Sequence, residues 1–511
     1  MRLHFALHLR NCVTSVLTLL TCAPVLAGET VPFTVDTEIL VRSGQPSPDG
    51  NGVFGDNIGR PVLNNAGQAA FIANLLATSD PDPIDDLGLY RASTTEQVTL
   101  ARGGQASAAG NQLDLQFLQL GTLGFRTPFG IDASGSVGFI STDSESEDAI
   151  YRADGTDLQA VLQSGQDTPF GESLNVGPSA LGFLVNDAGQ LAYLVNSSTQ
   201  NLLVRSDGLV TQPVFASGQA LPNGNTLTAL RAFGLNNAGE IVARLNISND
   251  DFGHFVGDLT SVRQINQTGA AAPDGLGTFV VDPRLPADLN SQSEVALAAG
   301  VDDITEDYVG VYLDQGMGLE ELTRSGNPTL GGDLLGLISG LNINDRGDLL
   351  YLMIASDNTR IQRLLLRRDG AERLVISEGD VVSLDVQGSL IAIRGFTLNE
   401  AGQVLVNGTV QILGEPQRAA LFLYDPQFGL AEVARAGQPL AGGTLQVISP
   451  SLPQFPLEPN TLGNAQTSFN DQGQVAYAYV LTNGERGIAL AEVTFERPDL
   501  IFKDSFESLS P

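Results

Sequence analysis

Basic residues, histidine and cysteine are all scarce in this chain. Of 511 residues only 26 are Lys or Arg, against 58 Asp and Glu, and a single one of the 26 is Lys. The net charge of −32 excludes a nucleic-acid binder that works by neutralising phosphates, which needs a basic face, and it argues against docking on anionic lipid. Cys12 and Cys22 are the only cysteines, and past residue 27 the only histidine is His254. That removes cysteine nucleophiles and multi-histidine metal sites and leaves His254 as the one base a Ser-His-Asp triad could use. What is plentiful is apolar material, at 42%. That is enough for a core and too much for a disordered chain.

The first 27 residues have the layout of a secretory signal peptide. Arg2 and Arg10 give a basic start, an apolar run spans Val13 to Leu20, and Val25-Leu26-Ala27 offers a cleavage point before Gly28. The apolar run is short for a membrane span, so no transmembrane helix is expected after cleavage. Cleavage removes two Arg and no acid, leaving 24 basic against 58 acidic residues, or −34, and no cysteine. The mature chain is thus expected to fold as a monomer in an oxidising compartment, at the cell surface, in the periplasm or outside, without disulfides.

Downstream the sequence repeats. Leu63-Asn64-Asn65-Ala66-Gly67-Gln68-Ala69-Ala70-Phe71 returns as Val185-Asn186-Asp187-Ala188-Gly189-Gln190-Leu191-Ala192-Tyr193, and again from Leu235, Ile343, Leu398 and Phe469. The recurring Asn and Gly are Asn64 and Gly67, Asn186 and Gly189, Asn236 and Gly239, Asn344 and Gly347, Asn399 and Gly402, and Asn470 and Gly473. Two weaker copies carry Asp132 for the Asn and Ser293 for the Gly, which makes eight. A second motif interleaves with the first, as at Ser43-Gly44-Gln45, Ser164-Gly165-Gln166 and Ser217-Gly218-Gln219. Between them lie Leu89-Tyr90-Arg91 and Ile150-Tyr151-Arg152, with Asp-Gly turns at Asp154-Gly155 and Asp207-Gly208.

Asn-x-x-Gly between apolar residues is a tight turn: Asn bonds its own backbone and Gly takes a positive φ. The residues after it alternate and favour strands, and Asp-Gly marks a two-residue hairpin. One unit is therefore a four-stranded meander, and eight units of about 50 residues predict an all-β chain folded as a single eight-bladed β-propeller, seven blades being the alternative count. The propeller spans 28–497, between the signal at 1–27 and a tail at 498–511. Thr37 to Arg42 form a fourth strand with no strands before it, and Gly487 to Leu490 form a third strand with none after it. The first piece is expected to complete the last blade and close the ring, which removes an open sheet edge. A capped solenoid is the competing architecture.

The phased Asn-x-x-Gly-x-x-Ala-Phe copies resemble the bacterial exported family named for tandem NxxGxxxAF repeats with a choice of C-terminal anchors, over about residues 35 to 495. The resemblance implies export to the cell surface or beyond and supplies no activity for any residue. The chain departs from it in having no C-terminal apolar helix followed by basic residues. Its end, with Ile501-Phe502-Lys503-Asp504-Ser505-Phe506-Glu507, resembles a short tail found on exported proteobacterial proteins; a disordered terminus is the plainer reading.

In such a meander alternate turns share a face. The short Asn-x-x-Gly and Asp-Gly turns are expected on one side as scaffold, the long variable loops on the other as the place for function. Acids gather in the second set: Asp80, Asp82, Asp85 and Asp86 in unit one, Asp143, Glu145, Glu147 and Asp148 in unit two, Asp250 and Asp251 in unit four, Asp302, Asp303, Glu306 and Asp307 in unit five. Clustered carboxylates are oxygen ligands for Ca²⁺, so Asp80, Asp82, Asp85, Asp86, Asp302, Asp303, Glu306 and Asp307 are the candidate metal ligands, with solvated loops that keep the protein soluble as the plainer reading. His254 aligns with Gly88 and Ala149 and is expected at the surface or a loop edge. Tyr90, Tyr151 and Tyr312 share one position and are expected to pack between blades. Arg91, Arg152, Arg205 and Arg367 are expected at one register as loop clamps, recognition of an anionic glycan being the alternative. The functional expectation is a binding scaffold for a surface polysaccharide, a surface protein or Ca²⁺. The alternative is a carboxylate-dependent carbohydrate-active enzyme, hydrolase or lyase.

Overall fold

The Gly of each Asn-x-x-Gly turn sits where an L side chain is strained. Gly67 has φ +72°, and in unit five Ser293 stands in at φ +66°. With the chain reversed there, the flanking apolar runs pair as antiparallel strands, Leu63 opposite Ala69 and Val62 opposite Ala70 in the first unit. The computed structural model describes residues 32–79, 83–107, 110–115, 129–143, 148–166, 174–175, 183–197, 199–282, 284–303, 306–330, 332–357, 359–382, 388–452 and 466–496. Among the described residues there is no α-helix, only two short 3-10 turns, Pro83–Asp86 and Ser248–Asp250, and no helix is long and apolar enough to cross a membrane.

The strands form eight sheets that follow one another along the chain, each a four-stranded meander at its centre. This is an eight-bladed β-propeller, and the eight sheets exclude the seven-blade alternative. In blade 4 the order from the axis outward is Leu227–Leu235, Ile241–Ile247, Asp251–Gly257 and Val262–Gln267. In blade 1 the innermost strand is interrupted, as Val53–Ile58 and Val62–Leu63.

Blade 8 closes the ring as the chain ends predicted. Gly443–Ser449, Gln474–Leu481 and Arg486–Phe495 come from the C-terminal side, and the N-terminal strand Phe33–Arg42 adds the outermost strand. The two ends pair antiparallel from Phe33 opposite Phe495 to Arg42 opposite Gly487, with one bulge after Ile39. Ten-residue strands and this register join the first and last units into one sheet.

The core lies between blades, not at the axis. Ile72, Leu89 and Leu100 of blade 1 pack on Phe129, Phe139 and Tyr151 of blade 2, and Leu40, Val41 and Ile488 of blade 8 pack on Phe54, Phe71 and Tyr90 of blade 1. Each large side chain so buried contributes about 1.5–3 kcal/mol, so each interface is a small core in its own right. Tyr90, Tyr151 and Tyr312 are buried. Tyr90 lies 5.7 Å from Phe71 and Tyr151 lies 5.5 Å from Phe139, both stacked, while Tyr312 meets Phe279 edge-on at 5.2 Å. These ring pairs lie within one blade, and each tyrosine also belongs to a core shared with the preceding blade: Tyr90 with blade 8, Tyr151 with blade 1 and Tyr312 with blade 4.

Candidate functional site

The recurring Asn does more than make a turn. In each unit that carries it, its Oδ1 accepts the backbone N–H four residues on, 2.8 Å from Gln190 and 2.9 Å from Asp348, which is the local bond that favours Asn in the turn. Its Nδ2 is left to donate outward, and it donates to the next blade. Asn64 reaches the carbonyl of Asp132 (2.9 Å), Asn186 that of Asn236 (2.8 Å) and Asn236 that of Asn290 (2.8 Å). Asn290 then bonds Asn344, Asn344 bonds Asn399 and Asn399 bonds Asn470, each at 3.0 Å. Asn470 bonds Asn64 at 3.2 Å and closes the circle. The eighth link, from blade 2 to blade 3, is missing because Asp132 has no amide to donate. There Arg152 pairs with the Asp132 carboxylate, and the Ala133 N–H bonds the Asp187 carbonyl at 3.1 Å.

One residue further on, a second ring faces the axis. Asn65, Asp187, Asn237, Ser291, Asp345, Glu400 and Asp471 line an axial cavity of about 120 Å³ at the Asn-x-x-Gly face. Backbone N–H groups of one blade hold the carboxylates of the next. Ser291 donates to Asp345 Oδ1 (2.6 Å), Asp345 to Glu400 Oε2 (2.6 Å) and Glu400 to Asp471 Oδ1 (2.8 Å). Asn65 Nδ2 donates to Asp471 Oδ2 (2.7 Å), and Asn237 Nδ2 to Asp187 Oδ2 (3.1 Å). Gln466 of blade 8 reaches to blade 2, where its side-chain amide pairs with both the N–H and the carbonyl of Ile131.

Four carboxylates at one mouth repel. Burial, followed by the charges of Asp345, Asp471 and Asp288, pushes Glu400 up to about 7, although the Asp345 N–H bond opposes the shift. Asp187 is raised as well, first by burial and then by Asp471 from the other side of the ring, against the bond from Asn237. The arrangement concentrates negative charge on the axis and holds one carboxyl whose proton exchanges near neutral pH.

This side of the molecule was expected to be scaffold alone; it is scaffold and also the place where acids converge. Asp187, Asp345, Glu400 and Asp471 escape a reading of local motifs because each is a lone acid. Their shared signal is the position directly after the recurring Asn or its equivalent, which is acidic in four of eight units.

The acidic loops do not converge in the same way. Asp80, Asp82, Glu145 and Glu147 lie outside the described residues. Among the described residues no group of three His, Cys, Asp or Glu gathers as a metal site. Asp85 is buried, accepting from Asn51 through its carboxylate and from Arg102 through its carbonyl, while Asp86 accepts from the Thr78 hydroxyl at 2.9 Å. Asp302 and Asp303 are consecutive on the strand Val295–Asp303, so they point to opposite faces. Glu306 and Asp307 are exposed beyond it.

His254 departs from its expected place. It is 1% exposed, on the central strand Asp251–Gly257, opposite Arg244 on one side and Asn266 on the other. The ladder aligns it with Leu89 and Ile150, one residue beyond Gly88 and Ala149. Its Nδ1 lies 2.8 Å from Asn266 Oδ1, and burial followed by the Arg244 charge lowers it to about 4, so it is neutral at physiological pH. Arg244, His254 and Asn266 form a buried polar row where blade 1 has Ile72, Leu89 and Ala101.

The arginines act as clamps. Arg91 Nη1 donates to the carbonyl of Gly135 in the next blade at 2.6 Å, Arg205 Nη1 does the same to Gly239 at 2.5 Å, and Arg152 takes Asp132. Arg367 is one position out of register, since Leu366 is the residue opposite Leu350; the pairing with Asp348 (3.5 Å) belongs to Arg368.

The chain belongs to a family described as a family of unknown function (DUF7453), whose model matches residues 33–126, 122–394 and 356–495. A comparison with curated proteins finds no match. Among solved structures it is similar to the Dos1 propeller (8% identity, 89% of this chain and 95% of that one, TM-score 0.38). It is also similar to the β-propeller domain of the Trilobed protease from Pyrococcus furiosus, described as having an open velcro topology (10% identity, 75% and 99%, TM-score 0.36), and to the WD40 domain of SCAP from fission yeast (10%, 90% and 94%, TM-score 0.38). At these identities and scores nothing about ligand or activity follows.

Proposed function

We infer that the protein is an exported propeller that serves as a binding scaffold at or beyond the cell surface, with a surface polysaccharide or a surface protein as its ligand. The carrying observation is the circle of Asn amides. Seven inter-blade bonds made by buried side chains fix one face, so the loops of the opposite face are presented from a rigid frame, as recognition on loops requires. The signal-like first 27 residues and the excess of 58 acids over 26 basic residues support a soluble exported role.

One observation favours a second reading. Glu400, raised to about 7 in the axial cavity beside Asp345 and Asp471, is a carboxyl suited to donate a proton near neutral pH, as a general acid does. The axial cavity of about 120 Å³ weighs against it, because ligand pockets run to about 300–1,000 Å³. The test is to screen the purified chain on arrays of bacterial polysaccharides and on surface-protein extracts, and to assay every bound polysaccharide for soluble products. Saturable binding without turnover is the expected result. Release of oligosaccharides that Glu400→Gln abolishes would overturn the scaffold reading in favour of the enzyme.

A further inference from the structure

We propose that the groove between blades 7 and 8 is the docking site of the chain's own C-terminal segment, residues 497–511, with Leu500, Ile501 and Phe502 as its apolar anchors. The inference stands apart from what the propeller loops bind.

The groove has a volume of about 530 Å³, in the range of sites that take peptide side chains or small molecules. Phe33, Val35, Leu440 and Tyr477 line it from blade 8, and Val433 from blade 7. Phe33, Val35 and Leu440 are only partly buried, so the closing blade leaves apolar surface uncovered where its N-terminal strand faces its neighbour.

The described chain ends at the mouth of this groove. The Glu496 N–H donates to the Pro32 carbonyl at 2.8 Å, and Pro32 itself lines the groove. Just before it, Phe495 stacks on Phe428 at 5.3 Å and meets Phe33 at 6.3 Å, which fixes the exit point. Fifteen residues follow in the sequence, and they include Pro498-Asp499, residue types that favour turns. From Phe33 to Thr37 the wall is about 13 Å long, and six extended residues from Glu496 to Phe502 span up to about 20 Å, so the anchors reach its full length.

Chemistry matches as well as reach. The segment offers Leu500, Ile501, Phe502 and Phe506, whereas the stretch just before Pro32, from Gly28 to Val31, offers one large apolar residue. The groove wall contains one carboxylate, Glu432, which Arg435 (3.1 Å) and Gln438 (2.5 Å) hold in place. Lys503, next to Phe502, is the only lysine of the chain.

That single lysine makes the test direct. The full chain, its α-amine first blocked by N-terminal acetylation, is coupled at Lys503 with an amine-reactive diazirine, irradiated and mapped by mass spectrometry, with light and ¹⁵N-labelled chains mixed. Insertion within one chain into residues 33–37 or 432–440 is the expected result. Insertion spread over other blades overturns the proposal, and so does insertion into a second chain, which would make another copy the occupant. A chain ending at Glu496 is expected to melt several degrees lower and to recover when a synthetic peptide of residues 497–511 is added, but not with the same peptide carrying Phe502→Asp. A truncated chain that melts with the full chain and ignores the peptide also overturns it.

Discussion

Removing one amide from the inter-blade circle tests whether that circle holds the ring together. Asn344 is 1% exposed. Its Nδ2 donates to the Asn399 carbonyl (3.0 Å) and to Asp348 Oδ2 (3.2 Å), and its Oδ1 accepts from the N–H groups of Arg346 (3.1 Å) and Asp348 (2.9 Å). Asn344→Ala strips all four and leaves two donors and two acceptors without this partner. A buried group left unpaired costs about 1–3 kcal/mol, and water entering from the axial mouth offsets part of that, so the expected loss is about 3 kcal/mol. The matched control is Asp207→Ala. Asp207 also accepts two N–H groups of its own turn, those of Leu209 (2.9 Å) and Val210 (2.8 Å), but in an exposed Asp-Gly hairpin. Water replaces those bonds, so the control should cost under about 1 kcal/mol. Urea denaturation of both variants at one pH supplies the comparison. If Asn344→Ala costs no more than Asp207→Ala, the circle contributes nothing beyond eight ordinary turns.

Exchanging amide and acid in that circle should be asymmetric. Asp132→Asn offers a donor to the Asn186 carbonyl while losing the Arg152 pair, and should stay within about 1 kcal/mol of the parent; Asn344→Asp sets a second carboxylate against buried Asp348 and should cost at least about 2 kcal/mol more, read from the same denaturation curves. Two groups should pull the pH profile in opposite directions. Glu400 holds its proton more tightly folded than unfolded, so its contribution is full below pH 4.5 and drains away as pH rises to about 7; being partly exposed, it accounts for about 1–2 kcal/mol. His254 is neutral when folded, so its contribution is full above pH 6.5 and is lost as pH falls to about 4, some 2.5 units or about 3 kcal/mol. Stability measured across pH 4–8 should therefore show Glu400→Gln gaining most at the alkaline end and His254→Leu gaining most at the acid end, and equal shifts at every pH would refute both assignments. Deleting the chain through Arg42 uncovers the edge of Arg486–Phe495 and should abolish a single cooperative melt and promote self-association on a sizing column; a truncated chain that melts like the whole would show that the N-terminal strand does not close the ring.

How much of this was legible depends on whether a feature belongs to one unit or to the sum of units. Strands, turns and closure are properties of a unit or of its incomplete ends, so Asn64 with Gly67, or Thr37 to Arg42 without earlier strands, carry them in plain sight. The axial acids belong to the sum. Asp187 and Asp471 lie 284 positions apart and meet only because eight turns are brought round one axis. His254 and Arg367 depart from the motif spacing for another reason: loops differ in length between units, and only the pairing ladder places each one position away. A repeat protein nevertheless supplies its own reference at every position, and departures from that reference are informative when they are compensated. Asp132 is the one member of the Asn circle without an amide, and Arg152 occupies its carboxylate; that pairing marks a substitution the fold has absorbed. Arg244, His254 and Asn266 replace an apolar row, yet among the described residues His254 Nε2 and Asn266 Nδ2 find no hydrogen-bond partner. That row is the less absorbed departure, and protonating His254 there adds a buried charge beside Arg244, so local opening of blade 4 should become easier as pH falls.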